Sequence, residues 1–135
     1  MNKSEVYQFL SDLYHDILLN FDVNKIPFYF SKKYLQTTDN KVSNLNEFTS
    51  HIQTLKKIVR KIEISAFQDF LYDDDEGVAT LRYNVHVEKM DHTIGVIEVI
   101  ALFEIKDDKV IRCNEVTNPL NHKEIFQDIG SVNNC

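Results

Sequence analysis

Glycine and proline are scarce: three Gly and two Pro in 135 residues leave no low-complexity segment and no linker, and no stretch repeats another. The chain is therefore read as one domain, 1–135, long enough to bury roughly two-thirds of the surface it exposes unfolded. Cysteine is as sparse. Cys113 falls in a predicted strand and Cys135 is the last residue, so the two offer neither a disulfide framework nor zinc-ligand spacing. Positive charge is in deficit, with 15 basic against 21 acidic residues and a net charge of −6. That balance repels phosphate backbones, and no basic stripe with interleaved aromatics offsets it, which excludes nucleic acid as the expected partner. No apolar run is long enough to span a bilayer, so no membrane partner is expected. The opening MNKSEVYQFLSDLYHD carries polar and acidic residues where a signal peptide would be apolar, and reads as retained in a cytoplasmic protein. HExxH, a Gly-rich phosphate loop and the GxSxG elbow are all missing, and no cofactor is expected.

What is present is organised around residues 93–118. A β-branched apolar run from Ile94 to Ile105, a polar turn at Lys106-Asp107-Asp108-Lys109 and a second run from Val110 to Thr117 predict a long β-hairpin. A strand apolar at successive positions needs cover on both faces, by helices on one side and by a sheet or partner on the other. The preceding strand is legible too: Ala79, Leu81, Tyr83, Val85 and Val87 alternate with Thr80, Arg82, Asn84, His86 and Glu88, giving one dry face and one wet face.

Upstream the period lengthens. Ser4 as N-cap and Val6, Phe9, Leu10, Leu13, Ile17 and Phe21 predict an amphipathic helix of four to five turns. Asp22 or Asn24 opens a shorter helix through Ser31, with Pro27 tolerated in its first turn. A short strand over 34–38 leads into a turn at 39–41. Asn44 and Glu47 form a capping-box pattern ahead of a helix whose stripe runs Leu45, Phe48, Ile52, Leu55, Val59, Ile62. From Ile62 to Tyr72 a single bulged strand is expected, closed by Asp73-Asp74-Asp75-Glu76-Gly77. One helical turn over 124–128 completes the chain. The fold class is α+β, with three helices gathered on one face of a strongly curved antiparallel sheet to form a cone with an internal pocket.

Phe21-Asp22 closing the first helix, the strand opening Gly77-Val78-Ala79-Thr80, and Val99-Ile100-Ala101-Leu102-Phe103-Glu104 running through Asp107 to Arg112 and on to Glu115 resemble the nuclear-transport-factor-2-like superfamily, in its SnoaL-like branch. The resemblance spans roughly 5–120 and implies the cone fold. It does not imply one chemistry, because the scaffold hosts ketosteroid isomerase, scytalone dehydratase, epoxide hydrolases and polyketide cyclases as well as non-catalytic domains. Asp108 stands where the family's hairpin turn usually has Gly. SnoaL-like cyclases carry an acidic residue where this chain has Asn118, and an amide cannot serve as a general acid/base. Their polar pocket pair falls on Val99 and Ala101.

His51 lies on the flank of the third helix's apolar stripe and is the best-tuned base near neutral pH. Glu98 and Glu115 sit within the hairpin strands, and whichever faces the cone would have its pKa raised by burial and become a proton carrier. Tyr83 on the dry face and Gln36 at the pocket rim would orient a ligand, with Val99, Ala101, Phe103 and Asn118 completing the wall. The acidic run at Asp73 fails as a calcium loop, since Val78 and Asn84 occupy the sixth and twelfth positions. No metal is expected. Two functions follow. One is a small-molecule-binding cone domain doing cofactor-free acid/base chemistry on a small hydrophobic organic substrate; the other is a non-catalytic ligand-binding or dimerisation module. Both use the outer sheet face for a homodimer.

Overall fold

Asn2, rather than Ser4, opens the first helix. In the structure, a computed structural model describing residues 1–127 and 129–131, the Asn2 side chain accepts from the Glu5 backbone N–H and the Glu5 carboxylate accepts from that of Asn2, both at 2.9 Å. This capping box satisfies two backbone donors at the exposed start of α1, Lys3–Leu13. Val6, Leu10 and Leu13 form its buried stripe, and the chain continues into one π-helical turn, Tyr14–Leu19, that buries Tyr14 and Ile17. Asp22 caps a 3₁₀ turn, Val23–Lys25, through the Asn24 N–H at 3.2 Å. The following α2, Ile26–Tyr29, is shorter than the sequence suggests, because strand β1, Phe30–Thr38, begins at once.

Asp39 and Asn40, both at positive φ (50° and 69°), turn β1 into a strand the periodicity missed, β2, Lys41–Asn44. The Asn44–Glu47 capping box opens α3, Leu45–Ile58, as expected. The helix ends four residues earlier than its apolar stripe implied. Lys56 and Lys57 close the last turn, where the macrodipole favours cations. The β-branched Val59, Ile62 and Ile64, which also fit helical spacing, belong instead to β3, Val59–Ile64. The single bulged strand expected over 62–72 is two strands, β3 and β4, Gln68–Asp73, and both pair with β5, Val78–Lys89. The long hairpin is β6, Ile94–Lys106, and β7, Lys109–Pro119, with Asp107 and Asp108 in the left-handed region at φ 52° and 63°. Lys123–Phe126 forms a last turn, α4. The rest of the tail expectation, Asp128, and Cys135 lie outside the described residues.

Seven strands among the described residues make one sheet in the order β2-β1-β7-β6-β5-β3, with β4 also on β5. All pairings are antiparallel except β1 with β7, which run parallel. Register shifts interrupt the β1–β7, β3–β5, β4–β5 and β6–β7 ladders. Each bends its strand and adds twist, so the sheet curls round α1 and α3. Gly77 is required at its turn. It holds φ +68°, and a Cβ there would stand 2.7 Å from the Ile105 carbonyl oxygen.

Only the concave face is covered. Along β6, Ile97, Val99, Ala101 and Phe103 are buried, while the alternate Ile94 and Ile100 are exposed. The continuous apolar run thus does not report two packed faces within one chain. Ile100 (45% exposed) stands opposite Val116 (54%) on the convex side. Among the described residues no helix is long and apolar enough to cross a membrane.

Candidate functional site

Alternation along β1 turns Phe30, Tyr34, Gln36 and Thr38 inward. The last three are consecutive same-face residues, and their side chains join in one direction. The Tyr34 hydroxyl donates to Gln36 Oε1 at 2.6 Å, Gln36 Nε2 donates to Thr38 Oγ1 at 2.9 Å, and the Thr38 hydroxyl donates to Glu115 Oε1 at 2.8 Å. Gln36 Nε2 also lies 3.4 Å from the same Glu115 oxygen. Parallel pairing sets this up, because it places Thr38 beside Glu115 and Gln36 beside Cys113 across the β1–β7 ladder.

The β7 parity decides which acid enters the cone. From the hairpin turn, Val110 faces inward and simple alternation would continue through residues 112, 114 and 116. The register shift at Ile111 skips one residue, so Cys113, Glu115 and Thr117 face the cavity while Arg112, Asn114, Val116 and Asn118 face out. On β6 the odd residues face in, which puts Glu98 on the convex surface in an ion pair with Arg82 at 3.2 Å. The expected roles of Glu98 and Asn118 are therefore corrected. They are neighbours on the outer face, opposite one another in register, and neither reaches the pocket. Ala101 faces inward but is wholly covered and does not border the cavity.

The cavity itself, about 90 Å³, lies between α3, the π-helical turn and the sheet. His51, Gln36, Tyr83, Val99, Phe103 and Glu115 border it, so six of the nine residues singled out from the sequence come together. His51 is buried at 8% exposure. Sequence reasoning missed Tyr14, Tyr34, Cys113 and Thr117, which also border the cavity, and Thr38, which fixes Glu115. A signal existed for two of them: once Gln36 is placed on a strand, Tyr34 and Thr38 share its face by the two-residue period. Ile129 and Gly130 close one side, Gly130 so near Thr38 and Thr117 that a Cβ would stand 3.2 and 3.0 Å from their methyl carbons.

Electrostatically the site centres on Glu115. Burial pushes its carboxyl up to about 7; the Thr38 hydrogen bond pulls the other way, and the Asp39 charge adds to the rise. Asp39 is fixed by Thr117, whose backbone N–H donates to Oδ1 at 2.8 Å and whose hydroxyl donates to Oδ2. Tyr14 and Tyr83 meet edge to face with centroids 4.9 Å apart. Burial raises both phenols, as it does Tyr34 and the Cys113 thiol, so all four are protonated at neutral pH. Cys113 is thus a buried neutral thiol rather than a nucleophile. Among the described residues bordering the cavity the only basic side chain is His51.

Comparison with known proteins places this arrangement. No family model matches the sequence. An uncharacterised protein of Schizosaccharomyces pombe, C11D3.04c, is 24% identical over 111 residues, covering 82% of this chain and 83% of that protein. Among solved structures, a candidate isomerase from Bacillus subtilis superposes with a TM-score of 0.77 at 15% identity, covering 94% of this chain and 96% of its own. PrhC from Penicillium brasilianum gives a TM-score of 0.76 at 14% identity, covering 95% and 87%. The fold is shared with these structures and with an NTF2-like protein from Exiguobacterium, at a TM-score of 0.62 and 9% identity over 70% of this chain and 81% of its own, and is the nuclear-transport-factor-2-like cone.

Proposed function

We propose that this cone domain binds a small, largely apolar organic molecule and exchanges a proton with it through Glu115, without a cofactor. The observation that carries the reading is the Glu115 carboxyl at the wall of an aromatic-lined cavity, held through one oxygen by Thr38 at 2.8 Å, where burial pushes its pKa up to about 7. A general acid/base works best when its pKa lies near the working pH, because both protonation states are then accessible. Tyr83 borders the cavity too, a phenol placed to orient the ligand. His51 borders the same cavity, an imidazole within its lining.

The size of the hollow limits the ligand. Cavities that bind drug-sized molecules run to roughly 300–1,000 Å³, and about 90 Å³ admits only a few non-hydrogen atoms. The test is NMR titration with acetone, 1-propanol and propylamine, following the resonances of Tyr83, His51 and Glu115. Binding by at least one probe is expected to shift these signals in the wild type, to weaken in Tyr83→Phe, and to vary with pH through about 7 in the wild type but not in Glu115→Gln. Silence of the cavity resonances toward all three would remove the reading.

The convex face supports a second element of the proposal, a homodimer. Ile100 and Val116 lie side by side there, exposed, on a β-sheet surface flanked by the Arg82–Glu98 and Arg112–Glu104 ion pairs. An apolar centre with a charged rim is the pattern of a protein interface.

A further inference from the structure

The direction of the hydrogen bonds on β1 has a consequence for the ligand. Each donor in the row Tyr34, Gln36, Thr38 points along the strand toward Glu115, and both that reach it end on Oε1. Among the described residues both hydrogen bonds to Glu115 fall on Oε1 and none on Oε2. The protein thus presents the ligand with an acceptor oxygen. The same cavity is bordered by the rings of Tyr14, Phe30, Tyr34, Phe48, Tyr83 and Phe103, and an aromatic face carries negative potential. A second carboxylate, Asp39, lies close enough to act on the first. No Lys or Arg borders the cavity among the described residues.

We propose that the ligand of this cavity is a small organic amine, held as its ammonium between Glu115 Oε2 and the surrounding rings. The inference rests on the reading of Glu115 as the proton carrier and names what it exchanges the proton with. The step balances: the protonated carboxyl gives its proton to the amine nitrogen, leaving a carboxylate and an ammonium in contact, and the reverse transfer releases neutral amine. An ammonium N–H supplies the donor that Oε2 lacks, and cation–π attraction strengthens when the site is desolvated. An anion would meet Glu115, and among the described residues the lining offers only His51 as a basic group to offset it. Size agrees. A cavity of about 90 Å³ is below the roughly 150 Å³ that accepts benzene, which suits a short alkylamine.

The ionisable groups facing Glu115 are Asp39 from the β1–β2 turn, Tyr34 from β1, Tyr14 from the π-helical turn, Tyr83 from β5, Cys113 on its own strand and His51 from α3. Burial keeps the phenols and the thiol neutral near pH 7. The experiment compares propylamine, 1-propanol and propionate, matched in size but cationic, neutral and anionic, by NMR titration of the full chain at pH 6 and pH 8. With Glu115 titrating at about 7, its ionised fraction rises about tenfold over that interval while an alkylammonium stays charged. Propylamine is expected to bind about tenfold more tightly at pH 8, ahead of 1-propanol, with propionate not binding. Glu115→Gln, which keeps the shape, is expected to abolish the pH dependence. Propanol binding as tightly as propylamine at pH 8, or propylamine affinity flat with pH in the wild type, overturns the amine assignment and leaves the ligand-binding reading standing. Failure of all three probes overturns both.

Discussion

Thr38 donates its hydroxyl to Glu115 across a parallel strand pair, at 2.8 Å, although the two lie 77 residues apart in the chain. That bond favours the ionised carboxyl and opposes the effect of burial. Thr38→Val is expected to raise the Glu115 pKa above 7 by on the order of one unit, with Thr38→Ser restoring it. Carboxyl-detected NMR titration of the side chain reads this directly. An unchanged pKa in the valine variant would show that the hydroxyl does not tune the acid.

The same acid makes stability depend on pH. Its folded pKa of about 7 stands above the unbound value of 4.5, so between those limits the folded chain holds a proton that the unfolded chain has lost. Stability contributed by Glu115 is present below about 4.5, falls as pH rises through the window and is gone above about 7, with a slope of at most ~1.4 kcal/mol per pH unit. Glu115→Gln is expected to unfold at higher denaturant than the wild type at pH 8, the gap closing toward pH 5. Carboxylates held low, such as Asp16, bonded by Tyr29, act only at more acid pH and do not blur the comparison. Equal denaturation midpoints at pH 8 would contradict a raised Glu115.

Gly95 faces the core where Phe126 from α4 packs fully buried. An added Cβ would stand 2.5 to 2.8 Å from three carbons of that ring. Gly95→Ala is therefore expected to displace Phe126 and destabilise the fold by about 1–3 kcal/mol. Urea denaturation measures the loss, and limited proteolysis is expected to cut after Pro119 faster than in the wild type. Wild-type resistance with unchanged stability would mean the ring has another seat.

On the convex face, Ile100→Asp places a charge against Val116, at the apolar centre of the proposed homodimer contact. Light scattering is expected to report a dimer for the wild type and a monomer for the variant, with the far-ultraviolet circular dichroism unchanged. A monomeric wild type would dismiss the homodimer.

How much of this was legible beforehand varies residue by residue. The Asn44–Glu47 cap, the alternation of Ala79 to Val87 and the hairpin turn at Asp107-Asp108 are local patterns, and local sterics and hydrogen bonds suffice to impose them. Tyr83 could be assigned to the pocket for that reason. The end of α3 was not legible, since Val59 and Ile62 satisfy helix and strand periodicity alike, and the pairing of β3 with β5 chose between them.

By itself the sequence determined the β6–β7 hairpin, the Asn44–Glu47 cap and the inward face of β5, because each depends on residues within one or two turns of one another. Which acid entered the cone was decided only in three dimensions. The extra residue at Ile111 reversed the parity of β7, turning Glu115 inward and Asn118 outward, and the parallel docking of β1 then supplied Thr38 and Gln36 to hold it. A one-residue slip exchanges the two faces of a strand, and no local pattern records where that slip falls.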